Sequence, residues 1–198
     1  MNHEEILSKI YATLTRGTAD RKSPLHTPTI ATIGADGSPN ARVIVFRKFK
    51  PEQRVLIFHT DLRSPKIEEL RGNARISWLF YHPNEKLQFR IAGEATIHSD
   101  AGDELKLKQW QATWNFGRRC YMGAAPSLIS ENVTSGLPTE IVEREPTTEE
   151  SEVGFPNFAV ISTKINSIDC LELHNQGHHR SLFSWDENGE LQTNWLTP

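Results

Sequence analysis

The sequence predicts a mainly β protein with flanking helices (α+β), its strands closing into an antiparallel barrel. Three observations predict this. Short runs of alternating apolar and polar residues follow one another along most of the chain, the signature of half-buried strands. Turn signals of the hairpin kind, such as Asp36-Gly37 and Asn188-Gly189, join several of them. Helical patterns do not alternate with the strands, which excludes a doubly wound parallel sheet, and so many antiparallel strands in one unit favour closure.

The elements follow in order. Ile6, Leu7, Ile10 and Leu14 recur at helical spacing over residues 3–16, and Gly17 marks the expected stop. Thr29–Ile33 reads as a strand, and Ala41–Phe49 as its return after the Asp36-Gly37 turn. Val55–His59 is a third strand. Ser64 is then a good N-cap, Pro65 suits the first helical position, and Arg71-Gly72-Asn73 closes a short helix. Residues 75–81 and 86–97 form a strand pair in which Leu87, Phe89 and Ile91 share one face, Gln88 and Arg90 the other. A helix is expected from Ser99 to about Asn115. Residues 132–156, punctuated by Pro138 and Pro146 and acidic around Glu149–Glu152, read as a mobile loop. Phe158–Lys164, Ile168–Leu173, Ser181–Trp185 and Leu191–Leu196 read as C-terminal strands. The sum is seven or eight strands and three helices in a single domain over residues 1–198.

Composition narrows the function classes. With 198 residues, a net charge of -3 and a pI near 6.2, the chain is not built as a general binder of nucleic acid or anionic membrane. Cys120 and Cys170 are too few and too far apart for a disulfide framework or a cysteine-rich metal site. The N-terminal MNHEEILSKI has no apolar core of the secretory kind, and no run approaches ~18 apolar residues. A soluble, cytoplasmic protein is expected.

The common nucleotide and hydrolase motifs are missing, so a ligand must be held by side chains spread over several strands. Four clusters stand out. Arg42-Val-Ile-Val-Phe-Arg47 is a strand with a cation at each end. His59-Thr60 runs into Ser64-Pro65-Lys66, where a helix N-terminus suits a phosphate. Gln88 offers a carboxamide that both donates and accepts. His174-Asn-Gln-Gly-His178-His179-Arg180 is a cation-rich loop between strands. Each also has an ordinary reading: strand-end charges, a plain helix start, a polar strand face. The spacing of His174 and His178 suits a metal only on a helix, and Gly177 argues against one there, so no metal is assigned.

Order and company favour the functional reading. Arg42–Arg47, then Leu56-Ile-Phe-His-Thr60, Ser64-Pro-Lys66, Glu69-Leu70, Asn73-Ala74-Arg75 and Leu87-Gln-Phe-Arg-Ile-Ala-Gly93 resemble the pyridoxamine 5'-phosphate oxidase family of FMN-binding split barrels. His178-His-Arg180 and Trp195-Leu-Thr-Pro198 are similar to that family's end, while residues 100–160 match poorly. The resemblance implies a homodimer with FMN at the subunit interface. It implies that Arg42 and Lys66 hold the FMN phosphate with Ser64, Thr60 and His59, that Val43, Ile44 and Val45 line the ring, and that Gln88 reaches its polar edge. Arg180 would approach the flavin from the partner, and Trp78, Phe80 and Phe89 are expected to supply apolar surface for the subunit contact.

Departures from the family are concentrated on the substrate side. Pro65 replaces a family cation, and Arg47 stands where a lysine is usual. Of the residues completing the substrate-phosphate cradle, which would map near Trp114, Arg118 and Met122, only the arginine survives, and Gln176 replaces another arginine. The expectation is therefore a divergent branch: an FMN-dependent oxidoreductase for a small anionic substrate. His178 and Arg180 are its catalytic candidates, and Arg47, Arg118 and His178 its substrate contacts. A true pyridoxine/pyridoxamine 5'-phosphate oxidase and a non-catalytic flavin-binding module are the alternatives, with heme binding a remote fourth.

Overall fold

A computed structural model describes residues 2–198. Helix α1 (His3–Ala19) opens with a capping box, the Asn2 side chain accepting from the Glu5 backbone and Glu5 answering to the Asn2 N–H. It runs past Gly17 rather than stopping there. The glycine is needed for close approach instead, because a Cβ at Gly17 would lie 2.9 Å from that of Leu25.

Nine strands form one antiparallel sheet: β1 (Thr29–Ile33), β2 (Pro39–Val43), β3 (Phe46–Lys50), β4 (Val55–Asp61), β5 (Arg75–His82), β6 (Leu87–His98), β7 (Phe158–Glu172), β8 (His179–Trp185) and β9 (Leu191–Leu196). The order β2-β1-β5-β6-β7-β4-β3, with β8 and β9 added on β7, is that of an antiparallel split barrel. The single strand expected over Ala41–Phe49 is two, because the chain leaves the ladder at Ile44 and Val45 and turns from β1 toward β4. Conversely, the two strands expected after Phe158 are one. Asn166 is the extra residue of a bulge on β7, opposite the Ala92/Gly93 step of β6, and the strand continues through it. Gly93 is required there: a Cβ would sit 2.1 Å from the Lys164 carbonyl oxygen.

Alternation sorts the faces. Ile76, Trp78, Phe80, Phe89, Ile91 and Ile168 point inward and are almost fully buried with Phe46 and Phe58. Trp78, Phe80 and Phe89 are thus core, not subunit surface, a correction forced by the pleat: their outward neighbours are the exposed ones. Leu79 and Tyr81 on β5 and Val43 on β2 are exposed. Register places Val43, Thr29, Leu79, Arg90, Asp169, Leu182 and Asn194 in one row across seven strands on that outer face.

Two helices frame the ends. Helix α2 (Pro65–Gly72) lies beside β1 and β6, burying Ile67 and Leu70. Helix α3 (Glu104–Ala112), capped by Asp103, packs on the outer side of β7 over a second small core of Ile57, Trp110, Tyr121, Phe158 and Val160. The helix expected to Asn115 ends at Ala112 and resumes as the short α4 (Asn115–Arg118). The 132–156 stretch is not uniformly loop, since α5 (Thr148–Ser151) and its flanks bury Ser151 and Gly154. No helix among the described residues is long and apolar enough to cross a membrane.

Candidate functional site

The site begins where β4 ends and α2 starts. Thr60 faces the barrel interior as the last inward residue of β4, and the turn 61–64 brings Ser64 back beneath it. Ser64 occupies the N-cap position, but its hydroxyl does not cap the helix. It accepts instead from Lys66 Nζ at 2.5 Å, while Thr60 Oγ1 accepts from the same ammonium at 3.0 Å. Burial lowers the Lys66 pKa, and the nearby Arg42 guanidinium lowers it further. Among the described residues no carboxylate pairs with Lys66, so this ammonium has only hydroxyl partners. A half-buried cation held that way is prepared for an anion.

Arg42 reaches the same mouth from β2. Its guanidinium bonds Thr32 and pairs with Glu69 at 2.8 Å, and Asn40 donates to the other Glu69 oxygen at 2.9 Å. Glu69 thus aligns Arg42 and half neutralises it, leaving Lys66 the less compensated charge. The Glu69 carboxyl is lowered overall: burial works against ionisation, but the bonds from Thr32, Arg42 and Asn40 outweigh it. Thr60, Ser64 and Lys66 open on a cleft of about 660 Å³, whose far wall is Cys120, Tyr121 and the 124–136 segment. Glu69, Thr32 and Asn40 were not anticipated as parts of the site. Glu69 stood in the run that resembles the family, one helical turn after a suspected phosphate lysine, but was given no role there.

His59 lies on the other side of β4, near the charge of the exposed Arg47. His59 is buried against Phe158, shares a 3.1 Å hydrogen bond with Gln109, and leaves Nδ1 without a partner. Burial drives its pKa from 6.5 to about 4, against the Gln109 bond and helped by the positive Arg47 nearby, so the ring is neutral. The same burial raises the Tyr121 phenol, which Arg47 partly counters. His59 therefore faces the small second core, not the Lys66 cluster.

Gln88 and Arg180 lie on the outward face of the sheet, one on each side of Leu171 in register. Arg180 is held by Asp169 through bonds of 3.0 and 2.8 Å, and Asp169 also accepts from Arg90. Asp169, an acid in an otherwise apolar run, went unassigned in the sequence. His178 is exposed, its Nδ1 accepting from the His174 N–H at 3.2 Å.

Arg118 is not brought to this site. It is buried and donates to the Trp110 and Thr113 carbonyls, to Ser151 and to Glu152. All its nitrogens are spent on holding the 104–157 segment together, which corrects the expectation of a substrate contact. Trp114 is exposed beneath Arg21.

Comparison with known proteins finds similar chains and similar folds. Residues 8–99 match the family model of the pyridoxamine 5'-phosphate oxidase FMN-binding domain. A pyridoxine/pyridoxamine 5'-phosphate oxidase of Arabidopsis thaliana is 29% identical over 175 residues, 85% of this chain and 83% of that one. A pyridoxamine 5'-phosphate oxidase-related FMN-binding protein of Nostoc punctiforme superposes over the whole of both chains with a TM-score of 0.80 at 24% identity. PhzG of Burkholderia lata, solved with tetrahydrophenazine-1-carboxylic acid, covers 98% of this chain and 91% of its own, with a TM-score of 0.68 at 20% identity.

Proposed function

We propose that the chain is a pyridoxamine 5'-phosphate oxidase-like FMN-binding split barrel with FMN as its cofactor, and that it works as an FMN-dependent oxidoreductase, as a homodimer, on a small anionic molecule. The observation that carries the reading is the Lys66 ammonium with Thr60 and Ser64 at the mouth of a cleft. A mononucleotide phosphate supplies the anionic partner that the Lys66 ammonium lacks, and Arg42 adds a second donor group at the same mouth.

The residues present fit the cofactor. Lys66, Ser64, Thr60 and Arg42 hold the phosphate end, and the 43–45 segment, where the backbone leaves the ladder, is free to face the ring. Gln88 presents a carboxamide to a polar ring edge. FMN supplies the redox chemistry, and the protein's part is to bind, orient and exclude water.

Two copies complete the site. Arg42, Thr60 and Lys66 gather at the inner mouth of the barrel, whereas Gln88 and Arg180 project from the outer face of the same sheet. A second chain packed on that outer face would set its Gln88 and Arg180 against the first chain's phosphate cluster. The exposed Val43, Leu79 and Tyr81 supply the apolar surface such a contact needs. Arg180, aligned by Asp169, and His178 then orient an anionic substrate and hold its proton, with Arg47 as the further free cation. Both cysteines are free, which suits the cytoplasm as the place of action.

A full pyridoxine/pyridoxamine 5'-phosphate oxidase is the second reading, favoured by the Arabidopsis relative and opposed by the commitment of Arg118 elsewhere. Two measurements test these readings. The purified chain offered excess FMN should retain flavin absorbance and run as a dimer in light scattering; a colourless monomer ends the proposal. Anaerobic bleaching of the bound flavin by small carboxylates or phosphates identifies an oxidoreductase. Oxygen uptake with pyridoxamine 5'-phosphate selects the second reading, and a flavin that nothing bleaches selects a non-catalytic module.

A further inference from the structure

The turn between β7 and β8 assembles a trio that the flavin site does not use. Glu172 and His179 are direct cross-strand partners, the closest relation two side chains on a sheet can have. His174 folds back over them from the turn. Its Nε2 lies 3.3 Å from Glu172 Oε2, and His179 Nδ1 lies 3.8 Å from the same oxygen. One ligand atom from each of the three residues falls within 4.8 Å of the others.

Those separations suit a metal. An ion bound tetrahedrally at ~2.0–2.1 Å from each ligand keeps its ligand atoms roughly 3.3–3.5 Å apart. Small rotations of two exposed imidazoles reach that from the distances present. Two imidazoles and one carboxylate are a donor set of intermediate softness, which prefers zinc-class ions over calcium or magnesium. Glu172 divides its oxygens, Oε1 accepting from Lys9 at 3.4 Å while Oε2 faces the histidines. The His174 backbone N–H donates to the His178 ring, and Gly177, at φ 125°, lets the turn close, so the loop that carries His174 is itself held.

We propose that Glu172, His174 and His179 form a binding site for a zinc-class divalent cation, with its fourth position open to solvent. The sequence spacing pointed away from this because it invites pairing His174 with His178, whereas the hairpin selects His179 across the strands. An ion there would tie β7, the turn and β8 together. It would stiffen the segment that bears His178 and Arg180.

The test uses the full-length protein free of any histidine tag. Calorimetry with Zn2+ should give one ion per chain, and Co2+ should develop the visible absorption of a four-coordinate complex. His174→Ala, His179→Ala and Glu172→Gln should each weaken binding about tenfold or more. The double variant His174→Ala/His179→Ala should abolish the Co2+ spectrum while keeping FMN binding, which separates this site from the flavin reading. Both imidazoles are exposed, so the variants should melt near the parent. Absence of a one-to-one ion in the parent, or an unchanged Co2+ spectrum in the double variant, overturns the proposal.

Discussion

Lys66 and Arg118 are both cations in polar surroundings, yet their partners differ. Lys66 is half-buried and meets only the hydroxyls of Thr60 and Ser64, beside a cleft. Arg118 is buried and satisfied by two carbonyls, a serine and the Glu152 carboxylate. A cation with hydroxyl partners keeps charge to offer a ligand; one whose charge and donors are all matched is part of the frame. Availability follows from partners, not from residue type or place in a motif.

The sharpest way to break this contrast is Arg118→Ala. Removal of the guanidinium strands the Trp110 and Thr113 carbonyls, while the half-exposed Glu152 stays hydrated, and should destabilise the fold by about 1–3 kcal/mol in denaturant unfolding. FMN affinity of the folded fraction should stay within a few fold. A selective loss of substrate affinity with unchanged stability would return Arg118 to the site.

His59 gives the next effect, and its sign follows from a depressed pKa. The unfolded chain takes up a proton near pH 6.5 and the folded chain only near 4. Stability is therefore full above pH 6.5, falls as the pH drops toward 4, and levels below. The loss is at most about 3 kcal/mol. His59→Gln should flatten that part of the pH–stability curve. An equally steep curve in the variant would place the acid sensitivity elsewhere.

On the substrate side, His178→Ala should lower turnover ~10²-fold once a substrate is in hand, with FMN affinity nearly unchanged. A variant that melts early but turns over normally would show His178 to be only the acceptor for the His174 N–H. Lys66→Ala should weaken FMN by ten- to hundredfold, from ~1.5–3 kcal/mol in a charge-assisted bond. The melting temperature without flavin should hold or rise, because the charge that burial and Arg42 disfavour is gone. Unchanged flavin affinity would remove Lys66 from the phosphate site.

The same contrast explains what the sequence disclosed. Over residues 25–100, strand alternation, the Asp36-Gly37 turn and the Ser64-Pro65 helix start are local signals, and the structure follows them closely. The inward set Leu87, Phe89 and Ile91 follows from period two alone. Beyond residue 100 the chain is organised by contacts made at a distance. Arg118 joins Trp110 to Ser151 and Glu152, and Asn157 donates to the Tyr121 carbonyl at 2.8 Å. No window of sequence contains such pairs, so nothing set the internal role of Arg118 against the substrate role that the family resemblance implied. The Ser64 hydroxyl was misjudged for a related reason: capping is the local use of a serine, and Lys66 claimed it.

The fifteen-residue strand β7 has a consequence during synthesis. Along the sheet, β2, β1, β5 and β6 form one antiparallel piece and β4 with β3 another, and β7 alone lies between them. Until Phe158–Glu172 leaves the ribosome, β6 and β4 are both unpaired edges, open to pairing with any neighbouring nascent chain. Closure of the barrel therefore waits on β7, the strand that covers both edges.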